Sequence, residues 1–153
     1  MPGEDATSAP RVVVGVDGSP SSVKALAFAV EEASMRGAIL QILTTFPSPT
    51  MLGASVPEGY FENLEEQALA VIDEALGQVT GVDSLPSVVR TAVPESPGAA
   101  LVAASRGAAL LVVGSRGRGG FMTLLLGSVS SQCVQHSECP VVVVREGVSP
   151  ADG

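Results

Sequence analysis

Basic side chains are scarce in this 153-residue chain: Lys24 is its single lysine. Eight cations against sixteen acids leave a formal net charge of −8. That balance excludes broad binding to nucleic acid or to anionic membranes, which need a basic face. A lone lysine far from any glycine loop also removes the Walker A motif, which requires Gly-Lys-Ser/Thr. His136 is the single histidine. There is no Gly-x-Ser-x-Gly elbow for it to serve, and no Cys-His cluster to make a zinc site. It falls at the C-terminus of a predicted helix, where a cation is favourable. Cys133 and Cys139 match neither a CxxC pair nor a zinc pattern and read as small buried side chains. Aromatics are 3% of the chain, so the core must come from Ala, Val, Leu and Ile. Apolar runs such as Val141–Val144 are far too short to span a bilayer. Met1–Pro10 is polar and acidic, unlike a signal peptide, and the cytoplasm is the expected compartment.

What is present is an alternation of short apolar runs and amphipathic stretches. Arg11–Val16 reads as a strand buried on both faces, followed by Asp-Gly-Ser. Ser19, Ser21 and Ser22 offer N-caps, with Pro20 suited to an early helical position. That helix runs to about Arg36 and Gly37 stops it. Ala38–Phe46 is a second strand, and Pro47–Gly59 is the least regular stretch. A helix over 60–79 carries Leu64, Ala68, Val71, Ile72, Ala75 and Leu76 as its apolar stripe. A strand over 85–93, a helix over 99–106 begun by Ser96 and Pro97, and a strand over 108–113 come next. Ser128–His136 and Val141–Val144 complete the series. One domain over 11–146 is expected, with flexible tails at 1–10 and 147–153.

This βαβαβαβαβ order predicts an α/β fold, a five-stranded parallel sheet with helices on both faces. Open sheets of this kind bind ligands beyond the carboxyl ends of strands where strand order reverses. Attention therefore falls just after Val16 and Val113. After Val113 come Gly114-Ser115-Arg116-Gly117-Arg118-Gly119-Gly120, and then Gly127-Ser128 opens a helix. Four glycines in seven residues allow backbone N–H groups close to an anion. The helix start favours a phosphate, and Arg116 and Arg118 suit a polyphosphate. The same composition also describes a plain glycine loop with solvated arginines. Asp17, at the end of the first strand, could close an Asx turn within Asp-Gly-Ser.

The spacing Gly114-x2-Gly117-x9-Gly127-Ser128, the opening Val14-Gly15-Val16-Asp17-Gly18-Ser19 and the closing Cys139-Pro140-Val141-Val142-Val143-Val144 occur together and in order. From about Arg11 to Arg145 the chain resembles the universal stress protein family, in its ATP-binding branch. The resemblance implies a Rossmann-like sheet of the adenine nucleotide alpha hydrolase type, with strand order 3-2-1-4-5. It also implies a nucleotide site at Gly15, Val16, Asp17, Thr45, Val113, Gly114, Arg116, Gly117, Arg118, Gly127, Ser128, Val129 and Ser130. In it Asp17 approaches the ribose and phosphate region, where it could accept ribose hydroxyl hydrogen bonds or hold a metal-bound water. Gly15 and Val16 line the adenine end, the Thr45 backbone reads the adenine edge, and Ser128 and Ser130 add hydroxyls. The chain departs from the family pattern at Val93-Pro94-Glu95-Ser96-Pro97, where Glu95 stands in place of a glycine. An acid near the cleft could weaken polyphosphate binding or alter base recognition, and the sequence does not say how close Glu95 comes to the ligand.

The expected function is ATP binding in a regulatory or stress-response role, with Mg²⁺ accompanying the nucleotide and Asp17 reaching it through water. No residue stands out as a general base, so any hydrolysis should be slow and the protein is not expected to be an enzyme. A cyclic-AMP binder and a ligand-free interaction module are the alternatives. An adenylating enzyme would need a substrate-activating motif, and none is recognisable. Strand Val141–Val144, almost pure valine at a sheet edge, is expected to pair two copies into a homodimer. Phe121, Met122 and Leu124–Leu126 form an apolar patch that reads as packing beneath the loop, or as a surface for a partner subunit.

Overall fold

The computed structural model describes residues 9–52, 56–79, 81, 84–116 and 126–145. Most of the two expected tails lies outside these residues, as do Gly117, Arg118, Phe121, Met122 and Leu124–Leu125. The chain order is β1 (Arg11–Gly15), α1 (Pro20–Arg36), β2 (Ile39–Phe46), α2 (Pro49–Leu52) and α3 (Tyr60–Gln78). It continues with β3 (Val88–Pro94), α4 (Pro97–Ser105), β4 (Leu110–Gly114), α5 (Ser128–His136) and β5 (Val141–Val144). The strands form one sheet in the order β3-β2-β1-β4-β5, every neighbouring pair parallel. Strand order thus reverses between β1 and β4.

Side chains of one strand alternate between faces, and the sheet is buried on both. Val12 and Val14 face one way with Leu40, Ile42, Leu110 and Val112, beneath Leu26 and Val30 of α1 and Ile72 of α3. Val13, Leu43, Leu111 and Val113 face the other, beneath Ala100 and Leu101 of α4 and Cys133 of α5. The continuous apolar runs of β1 and β4 follow directly from this double cover. Cys133 is fully buried and its thiol is pushed up to about 11 by that burial, and next by the neighbouring Cys139. The half-buried Cys139 is also raised by burial, against the lowering effect of Arg11, and both thiols are free. Across the sheet, Arg11 donates to Gln41 at 2.8 Å and to the Ala104 and Arg106 carbonyls at 2.9 and 3.0 Å. It thereby satisfies the end of α4.

Helix ends follow local chemistry. The Ser19 hydroxyl accepts the Ser22 N–H at 3.2 Å and caps α1. Gly37, at φ 62°, ends it, with the Ala38 N–H returning to the Ala33 carbonyl at 2.8 Å. Several boundaries differ from expectation by one to three residues, β4 among them, which runs Leu110–Gly114 rather than 108–113. The third strand starts at Val88 rather than Leu85, because Pro86 lacks an N–H for the ladder and Leu85 is exposed. The helix after it starts at Pro97, two residues early, since proline is preorganised for a first helical position. The irregular stretch after Phe46 contains the single turn α2. His136 is the last residue of α5, and no helix among the described residues is long and apolar enough to cross a membrane.

Leu111 is completely buried at the centre of the second face. Leu111→Ala is expected to lower unfolding free energy by about 3 kcal/mol. Equilibrium urea denaturation checks this, as a fall in midpoint at constant slope.

Candidate functional site

A cleft of about 630 Å³ opens at the carboxyl ends of β1, β2 and β4. That volume lies in the range of small-molecule sites. Its place is the strand-order reversal, where the two crossovers diverge and leave a crevice. Gly15, Val16, Asp17, Thr45, Val113, Gly114, Arg116, Gly127, Ser128, Val129 and Ser130 all line it. Gly117 and Arg118, also expected there, lie outside the described residues. Glu95 is exposed and is not among the lining residues; Pro97 and Leu101 form the wall beyond β3.

The two sides of the cleft differ in character. On the β2 side stand Thr44, Thr45, Phe46 and Pro47 together with Leu64, Gln67, Ala68 and Val71 of α3, while Leu43 lines the cleft from the α4 face of the sheet. On the β4 side stand Gly114, Arg116, Gly127 and Ser128; Ser130, expected to add a hydroxyl there, is buried and donates it instead to the Ser115 and Gly127 carbonyls. Asp17 sits between the two sides at the end of β1. The β2 side went largely unread in the sequence. Leu64, Ala68 and Val71 are recognisable as an apolar stripe, but a stripe says nothing about which part faces a core and which a cleft.

Asp17 satisfies the Asx-turn reading while lining the cleft. Its Oδ1 accepts the Ser19 N–H at 2.9 Å, and its own N–H donates to Ser22 Oγ at 3.3 Å. The turn fixes the carboxylate at the mouth of the reversal. Gly114, expected as a phosphate contact, is a packing residue as well. A Cβ there would lie 2.4 Å from Ser21 Oγ and 2.9 Å from the Ser21 carbonyl carbon and oxygen. The first turn of α1 therefore rests directly on the end of β4.

The helix starts flanking the reversal also differ. α1 is capped by Ser19, whereas the capping position before α5 is Gly127, which has no side chain with which to cap it. Ser128 and Val129, the first residues of α5, line the cleft, and their N–H groups have no partner within the helix. With the helix dipole they favour an anion there, and Arg116 adds a full positive charge to the same side. Among the described residues no three His, Cys, Asp or Glu side chains gather as a metal-holding group.

A parallel 3-2-1-4-5 sheet with a cleft at its reversal places the protein in the open doubly wound α/β class. The chain belongs to the universal stress protein family, whose model matches residues 9–145. The universal stress protein Rv2005c of Mycobacterium tuberculosis is 37% identical over 136 residues, covering 88% of this chain and 45% of that protein. The chain thus spans about half the length of the curated relatives it matches. UspA of Lactobacillus plantarum superposes with a TM-score of 0.68 at 22% identity, covering 89% of this chain and 97% of its own, a likeness of fold. A universal stress protein solved in complex with cAMP is 30% identical with a TM-score of 0.58, covering 88% of this chain and 95% of its own.

Gly114→Ala is expected to cost about 2 kcal/mol of stability, because even after the Ser21 hydroxyl rotates away the added methyl still meets the Ser21 backbone carbonyl at 2.9 Å. Thermal unfolding monitored by circular dichroism checks it; an unchanged midpoint contradicts the close approach of β4 and α1.

Proposed function

We propose that this protein binds an adenine nucleotide, ATP, in the cleft and acts through the bound state rather than through turnover. The observation that carries this reading is the two-sided lining. An apolar slot between β2 and α3 suits a flat base, and an uncapped helix start with Arg116 suits phosphate. Asp17, between the two, is positioned for the ribose hydroxyls. Mg²⁺ fits as a companion of the phosphates: it keeps several waters and needs few protein oxygens, so Asp17 would reach it through one of them. Asp17 is the single carboxylate among the described lining residues, and no histidine joins it. That donor set suits holding a nucleotide better than activating water for its hydrolysis.

A second reading is favoured by the solved relative in complex with cAMP. One cyclic phosphate would occupy the same helix start and bring less negative charge to the Arg116 side than a triphosphate. Isothermal calorimetry with ATP, ADP, AMP and cAMP separates the two. Saturable binding with ATP tightest is expected; cAMP tightest supports the second reading, and no binding at millimolar concentration overturns both.

We further propose a homodimer formed through β5. Val141–Val144 pairs with β4 on one side only, and all four valines are half-buried. An uncharged edge of that composition invites a second strand. Light scattering at micromolar concentration is expected to give twice the chain mass of 15.4 kDa; a monomer mass contradicts the proposal.

A further inference from the structure

The end of β4 and the start of α5 are tied together by one small buried cluster. The Gly127 N–H donates to the Ser115 carbonyl at 2.7 Å. Ser130, in the first turn of α5, donates its hydroxyl to the same carbonyl at 3.2 Å and to the Gly127 carbonyl at 3.1 Å. Ser115 and Ser130 are only 3% and 2% exposed. The Ser115 N–H in turn donates to the Val144 carbonyl at 2.9 Å, which fixes this end of the cluster to the sheet. A serine hydroxyl has a single hydrogen. In Ser130 it is shared between two inward carbonyls and is not on offer to an anion in the cleft. Ser128, exposed at the first position of α5, is placed differently.

We propose that Ser130 is a positioning residue for the phosphate end of the cleft, acting through Ser115 and Gly127. By holding those two residues together it fixes the direction in which α5 presents the N–H groups of Ser128 and Val129 to the anion. The inference rests on the nucleotide reading above and deepens it. Its energetic logic is preorganisation: a helix start already aimed at the ligand pays no ordering cost on binding. The base side of the cleft, built by β2 and α3 across β1, does not touch this cluster. Ser130 therefore governs affinity for the phosphates and leaves affinity for the nucleoside unchanged, a split that a merely structural serine would not produce.

Removing the hydroxyl leaves no orphaned acceptor. The Ser115 carbonyl keeps the Gly127 N–H, and the Gly127 carbonyl keeps the Ser131 N–H at 3.0 Å. NMR titrations of the full chain with ATP and with adenosine test the proposal on wild type, Ser130→Ala and Ser130→Thr. The alanine variant is expected to bind ATP about tenfold more weakly, as loss of one aligning bond allows, with adenosine affinity unchanged. The threonine variant, which keeps the hydroxyl, is expected to restore ATP binding. Should the alanine variant fail to fold, Ser130→Cys keeps the size and weakens the donor, and the same split is expected. Equal weakening for both ligands, or unchanged ATP affinity, overturns the role of Ser130 and leaves the nucleotide reading standing. Wild-type protein that binds neither ligand overturns the nucleotide reading and this inference with it.

Discussion

The parallel pairing of β1 with β2 on one side and β4 on the other is the constraint on which the rest of this molecule depends. It buries Val12, Val13 and Val14 on both faces. Helices must then cover both surfaces of the sheet, and the crossovers must diverge at this strand. The cleft is a geometric result of that divergence. The Val16 N–H, donating to the Leu43 carbonyl at 2.9 Å, carries the pairing one residue past β1. Asp17 is then released from the sheet at the mouth of the crevice.

Much of this was legible from residue patterns. Strands buried on both faces announce themselves as short unbroken Val/Leu runs, and β5 and α5 were bounded correctly by Cys-Pro and Gly-Ser punctuation. Pro86 is a local signal against extending β3 to Leu85, but an apolar Leu beside Ser-Val-Val masks it. The cleft was legible on its β1 and β4 sides, where glycine, serine and arginine break the apolar pattern. It was not legible on its β2 and α3 side. Phe46, Leu64 and Val71 there are of the types that make a core, and only the tertiary placement of α3 turns part of its stripe toward the crevice. Glu95 stands where the family pattern has a glycine, and the sequence left its distance from the cleft open; it is exposed and outside the lining, to which Pro97 and Leu101 contribute instead.

Residues at the reversal carry two obligations at once. Gly114 is small because Ser21 lies against it, and its smallness also opens the floor of the cleft. Asp17 closes a turn that helps set the cap of α1 while presenting a carboxylate to the crevice. Ser115 joins the sheet through Val144 and the start of α5 through Gly127. The edge strand β5 and the anion-favouring side of the cleft therefore share a backbone unit, and a displacement at either is felt at the other within one residue. Sites built this way tolerate few substitutions, because folding and recognition rest on the same atoms.

The unequal capping of α1 and α5 has a consequence for handling the protein. A helix that starts without a side-chain cap relies on its surroundings to satisfy its opening donors. Here those surroundings are the crevice, with Arg116 on the same side. If the cleft holds phosphate groups as proposed, phosphate and sulfate in a buffer would compete for that place and lend the apo form stability that chloride or a bulky organic buffer would not. The choice of salt would then be an occupant of the molecule, and a ligand-free preparation one from which such anions have been removed.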